Sequence, residues 1–174
     1  MRPTALLLLP LLCACRVTFT PRDVPAGARA PERALRESER SEPERSAVER
    51  VLDGWHAAAA RADGAAYFDA MDEGAIFLGT DAGERWTLAE FRAFCEPYFS
   101  QGKGWTYEPR ARHVFLAGDL AWFDERLWNE KYGDCRGTGV LRRVDGRWRI
   151  AHYSLTLLVP NERAAAVVDV IRGG

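Results

Sequence analysis

The sequence predicts an α+β domain in which helices pack on one face of a curved, mainly antiparallel sheet. Three observations carry this prediction. The stretch from about 104 to 159 reads as a meander of four antiparallel strands. Its last two strands, GTGVLRRVDGRWRIAHYSLTLLV, flank Asp145-Gly146, a pair that tolerates the positive φ of a tight reversal. Ahead of the meander, apolar residues recur at helical spacing behind two capping boxes. The order helix, helix, strand, helix, meander is that of helices laid on one side of a sheet.

The amino end is read separately from the fold. MRPTALLLLPLLCAC has an early positive charge and an apolar run from Leu6 to Leu12, too short to span a bilayer. Residues 1–14 are therefore expected to be a signal peptide. Leu12-Cys13-Ala14-Cys15 resembles the lipobox of bacterial lipoproteins, although Cys13 departs from the usual small residue. The resemblance implies cleavage before Cys15 and a lipid on its sulfur, hence an exported chain held to the cell envelope by that anchor. With Arg16 next, the sorting pattern of such lipoproteins implies the outer membrane of a two-membrane bacterium. An ordinary signal peptide cut nearby is the alternative. Residues 16–42, rich in Pro, Ala, Arg and Glu, bury too little to order themselves and are expected to form a flexible linker.

The domain proper is expected over residues 43–162. Ser41 and Glu44 form the first capping box, with Pro43 in the first turn. Val48, Val51, Leu52, Trp55 and Ala59 make one apolar stripe, with His56 half-buried beside it. Asp63-Gly64 supplies a left-handed stop. A short helix over 65–71 then adds Tyr67, Phe68 and Met71 to the core. EGAIFLGT (73–80) reads as a strand. Thr87 and Glu90 make the second capping box, leading a helix that buries Leu88, Phe91, Phe94, Cys95 and Tyr98 and ends at Gly102. The tail, residues 163–174, is expected to be a short helix carrying Val167, Val168, Val170 and Ile171, with an N-cap at Asn161.

Composition excludes some classes. A chain of 174 residues with an unfolded amino end holds one domain of roughly 120–130 residues. A net charge of −1 and no basic run interleaved with aromatics argue against nucleic acid. Six Trp and eight Phe suit a core, and equally an apolar ligand pocket. The three histidines lack metal-ligand spacing, and there is no Cys-x-x-Cys pair, nucleophile elbow or phosphate-binding glycine loop, so neither metal nor cofactor is expected. Outside the cytoplasm, Cys95 and Cys135 could form a disulfide or stand as separate thiols.

FLGTDAGERW, AWFDERL, KYGDCRGTGVL and WRIAHYSLTLLVPNE, in that order, resemble the SnoaL-like branch of the nuclear transport factor 2-like superfamily over about 47–162. The resemblance implies a cone of helices wrapped by a curved sheet, with a cavity inside. Its members include ketosteroid isomerases, polyketide cyclases, dehydratases and pocket-bearing proteins without chemistry, so fold alone selects no activity. Asp124 and His152 fall where the family often keeps polar residues.

A register follows if Asp145-Gly146 and Gly133-Asp134 are both two-residue turns. It sets Arg143 against Trp148, Leu141 against Ile150 and Gly139 against His152. It also sets Trp128 against Gly139, Arg126 against Leu141 and Asp124 against Arg143. One face then carries Asp124, Arg126, Trp128 and His152, with Gly139 leaving space between the tryptophan and the histidine. Glu125, Arg142 and Arg149 form a solvated ladder on the other face. On that face-sharing, His152 suits a general base or a hydrogen-bonding contact, Asp124 its orienting partner, and Arg126 a carboxylate or enolate. An internal Asp–Arg pair with a satisfied histidine is the structural alternative. A one-residue slip would exchange the faces. The reading that results is a protein that binds a small apolar or amphipathic molecule. The alternatives are an acid–base isomerase, cyclase or hydratase needing no cofactor, and a module that forms a homodimer through the free sheet face.

Overall fold

The computed structural model describes the backbone of residues 32–173 and the side chains of 41–173. The expectations for the signal peptide, for Cys15 and for the first part of the linker lie outside the described residues.

Helix α1 (Glu32–Ala60) and the short α2 (Gly64–Asp69) lead into β1 (Met71–Leu78). A three-residue strand β2 (Arg85–Thr87) and helix α3 (Leu88–Phe99) come next. The meander follows as β3 (Glu108–Ala117), β4 (Leu120–Asn129), β5 (Gly133–Val144) and β6 (Arg147–Leu157). A 3-10 turn (Asn161–Arg163) and α4 (Ala164–Ile171) end the chain. The six strands run in the order β2-β1-β6-β5-β4-β3. Only β1 and β6 are parallel; every other neighbouring pair is antiparallel.

The helices cover one face of the sheet. Val48, Leu52, Trp55 and Ala59 of α1 are buried there, as the stripe predicts, with Tyr67 and Phe68 of α2 and Phe91, Cys95 and Phe99 of α3. Each large side chain removed from water contributes about 1.5–3 kcal/mol, which makes this face the main source of stability.

Several local expectations change. Helix α1 begins well before Ser41, and Pro43 lies inside it. The left-handed residue after α1 is Ala62 (φ 56°), while Asp63 caps α2 by accepting the Ala66 N–H at 3.1 Å. Met71 is buried as expected but opens β1. The Thr87–Glu90 capping box is present. The core-facing positions of α3 are 91, 95 and 99, which leaves Phe94 and Tyr98 42% and 45% exposed beside that stripe. Arg163, not Asn161, precedes α4, and no side chain caps it.

The sheet register is the main correction. Asp145 and Gly146 both have positive φ, and the pairs Arg143–Trp148, Arg142–Arg149 and Leu141–Ile150 form as expected. Beyond Ile150, β6 bulges: Val140 pairs with His152 and Gly139 with Tyr153. The extra residue, Ala151, lets Ile150 and Tyr153 both face the core although three residues separate them, which a regular strand forbids. The β4–β5 turn is residues 130–132, not Gly133-Asp134. Asn129 Oδ1 accepts the N–H groups of Lys131 and Tyr132, each at 3.0 Å, and Gly133 takes the left-handed position (φ 71°). Asp124 therefore pairs with Thr138, Arg126 with Arg136 and Trp128 with Asp134. The displacement from the expected register is odd, so the faces are exchanged.

Candidate functional site

The inner face of β4 carries Ala121, Phe123, Glu125 and Leu127, all buried. Asp124, Arg126 and Trp128 stand on the outer face instead. Asp124 meets exposed His113 at 3.2 Å, and Arg126 and Trp128 are solvent-exposed. His152, beyond the bulge, is half-buried opposite Ile76 and Val140. The four residues that the expected register gathered are thus not brought to the interior. Glu125, expected in a solvated ladder with Arg142 and Arg149, is 1% exposed. Arg142 instead makes two hydrogen bonds to Asp72, both at 2.7 Å. Arg142 is the first cause that holds the Asp72 carboxyl below its ordinary value, and burial works against it. Cys95 and Cys135 are separate buried thiols, and burial pushes Cys95 up to about 12.

What the fold does gather is a cavity of about 220 Å³ between the sheet and helices α1 and α3. Trp55, Phe77, Trp86, Phe91, Trp105 and Tyr153 supply much of its wall. The rings are organised against one another. Phe77 and Phe91 stack at 3.9 Å between centroids, Trp86 and Phe94 at 4.7 Å, and Tyr153 meets Trp55 edge-on at 4.7 Å. Offset and edge-on packing of this kind adds to the burial each ring contributes.

Polar groups meet at one side of this wall. His56 Nε2 lies 2.7 Å from Glu125 Oε1, and the Tyr153 hydroxyl donates to the same oxygen at 3.3 Å. Arg112 donates from Nε to Glu125 Oε2 at 2.9 Å and pairs onward with Asp53 at 2.7 Å. Burial by itself raises the Glu125 carboxyl; the hydrogen bond and charge of His56, with the Arg112 guanidinium, outweigh it and hold the group below its ordinary value. Burial and the Glu125 charge push the Tyr153 phenol well up, so it remains a donor.

An ionised carboxylate only accepts hydrogen bonds, so the proton between the pair is on His56 Nε2. The other nitrogen, Nδ1, has no hydrogen-bond partner among the described residues, and His56 lines the cavity. The arrangement can fix one tautomer of a histidine and present its other nitrogen to a bound molecule, the geometry of an oriented acid–base group. Among the described residues, no group of three or more His, Cys, Asp or Glu is placed to hold a metal ion.

Two glycines of β5 make this packing fit. A methyl at Gly137 would collide with the Tyr153 hydroxyl and stand 2.9 Å from Glu125 Oε1. A methyl at Gly139 would stand 2.7 Å from the Phe123 ring. The pair Gly137-x-Gly139 inside a strand was the available signal that bulky groups approach the backbone there. His56 and Glu125 are 69 residues apart and carry no local signature.

Helices on one face of a curved, mostly antiparallel six-stranded sheet, closing over an aromatic cavity, define a nuclear transport factor 2-like protein. The model of the SnoaL-like domain matches residues 48–160, and the chain belongs to that family. Among solved structures, a cystatin-like domain of unknown function from Nostoc punctiforme is similar at 20% identity, with 75% of this chain and 87% of that one covered and a TM-score of 0.63. A nuclear transport factor 2-like protein of unknown function from Pseudomonas putida is 18% identical over 69% of this chain and 90% of that one, TM-score 0.59. A member from Streptomyces avermitilis, provisionally named a dehydratase, is 13% identical over 69% and 99%, TM-score 0.59. At such identities the likeness establishes the fold alone. No curated protein matches the chain.

Proposed function

We propose that this protein binds a small apolar or amphipathic molecule in the aromatic cavity, with His56 contacting its polar end. The observation that carries this is a cavity of about 220 Å³ walled by rings and reached by an imidazole whose Nδ1 is unpartnered among the described residues. Sites for drug-sized ligands run to about 300–1,000 Å³, so the occupant is smaller than these. Native mass spectrometry of the full chain purified in detergent tests the reading. A retained small molecule that His56→Ala loses supports it; retention unaltered by both His56→Ala and Trp86→Ala would reject this cavity as the site.

A second reading, a cofactor-independent acid–base enzyme of isomerase, cyclase or hydratase type, draws on the 2.7 Å contact of His56 with a buried carboxylate. Turnover of the retained molecule that falls about 10²–10⁴-fold in His56→Ala is its expected signature. A homodimer through the outer sheet face is a further proposal, supported by Phe115 and Trp122, stacked at 5.6 Å and each 46% exposed. Sedimentation that stays monomeric at high concentration would remove it.

Export and lipid attachment at Cys15 complete the proposal, resting on the amino-terminal sequence alone. No described helix is long and apolar enough to cross a membrane. Intact mass of the mature chain is the check: an unmodified terminus beyond Cys15 counts against the anchor.

A further inference from the structure

Resting on the reading of the cavity as a ligand site, we propose that its occupant is a small organic cation, a quaternary or protonated tertiary ammonium on a compact apolar body. Glu84 at the cavity is its counter-ion.

Ring faces carry negative potential, and a cation held over them gains most where water is excluded. Here the stacked pairs Phe77–Phe91 and Trp86–Phe94 belong to one wall. Among the described residues, no lysine or arginine lines the cavity. The one carboxylate on its lining among the described residues is Glu84, half-buried on the loop between β1 and β2. Glu84 Oε2 accepts the Asp81 N–H at 3.1 Å, and the carboxylate makes no ion pair among the described residues. Its negative charge is therefore uncompensated at the edge of an aromatic enclosure.

Of the other charges near the cavity, His56 is paired and Lys131 is exposed. His56, Glu125, Arg112 and Asp53 form a connected chain of contacts. With His56 protonated that chain is neutral, and with His56 neutral it is negative, so it presents no net positive charge in either state. Lys131 is the nearest precedent for the interaction itself: its Nζ stands 4.7 Å from the Tyr132 ring centroid, but the amine is exposed and does not line the cavity.

Three classes of small molecule then separate by physics. An anion would meet Glu84, and the one cationic partner on the lining among the described residues, His56, is already paired with Glu125. A neutral molecule gains burial but draws nothing from Glu84. An alkylated ammonium gains burial, the ring faces and the carboxylate, and has a looser hydration shell to lose than a primary amine.

The test compares phenyltrimethylammonium with tert-butylbenzene, its neutral isostere, binding to the full chain in the same detergent. Quenching of Trp55, Trp86 and Trp105 fluorescence reads binding, with calorimetry as a second measure. The expected result is that the cation binds at least about tenfold more tightly. Glu84→Gln, which keeps an acceptor for Asp81, should cut that preference several-fold without weakening the isostere. Equal or tighter binding of the isostere overturns the cation proposal and leaves the ligand-site reading standing. A preference untouched by Glu84→Gln overturns the assignment of the counter-ion, and with it the proposal as stated. Binding of neither probe retires the cation proposal and the ligand-site reading together.

Discussion

Two histidine–carboxylate pairs draw their carboxylates from consecutive residues of β4. Glu125 faces inward to His56 at 2.7 Å, and the side chains are 0% and 9% exposed. Asp124 faces outward to His113 at 3.2 Å, with side chains 49% and 65% exposed. The residue types are nearly the same, and the alternation of a strand alone separates them. Water screens the outer pair, and such exposed pairs contribute about 0–1 kcal/mol. The inner carboxylate is fully buried, Arg112 and Tyr153 complete its bonds, and removing one member strands the others. Burial and partners, not the pairing itself, turn a histidine and a carboxylate into a candidate site.

Substitution of the two carboxylates sharpens this contrast most. Glu125→Leu leaves the Arg112 charge buried with only Asp53 and should destabilise the domain by about 3–5 kcal/mol in urea unfolding. An equally large effect from Asp124→Leu would break the comparison. Gly137→Ala comes next: its methyl displaces the Tyr153 hydroxyl from Glu125, and overpacking of this kind costs about 1–3 kcal/mol.

Acid stability separates the pairs with a smaller signal. The folded Glu125 carboxyl is held below its ordinary value of 4.5, so the unfolded chain takes up the proton first. The stability it contributes is complete above that value and is lost as pH falls through the lowered folded one. Urea midpoints should therefore fall for the native chain below about pH 4.5, and Glu125→Gln should flatten that part of the curve. Smallest of all is Asp124→Asn, expected within about 0.5 kcal/mol of the native protein at neutral pH. A shift of several degrees in thermal midpoint would show that the outer pair is held by more than is visible here.

Much of the fold was legible because it rests on local chemistry. The stripe of α1, the Thr87–Glu90 box and the Asp145-Gly146 turn are each set by residues within one or two turns of chain. The candidate site was not legible for the opposite reason. Reading β6 as an uninterrupted strand placed His152 inside, whereas the bulge at Ala151 turns it out and brings Tyr153 in. Centring the β4–β5 turn on Gly133-Asp134 had the same consequence for Asp124 and Glu125. Both errors displace a period of two by an odd number of residues, one at the bulge and five at the turn, and a sequence pattern with aromatics on both faces offers little to detect them. Phe115, Trp122 and Trp128 stand outside while Phe123 and Tyr153 stand inside.

By itself, then, the sequence determined most of the elements and their order, because capping, turn propensity and apolar spacing act over a few neighbouring residues; β2, read as loop, was missed, and the family was legible only as a resemblance of whole segments. Only the tertiary structure decided which residues meet at the candidate site. His56 on α1, Arg112 on β3, Glu125 on β4 and Tyr153 on β6 meet through strand register, and register is settled by the collective burial of a whole sheet face against the helices.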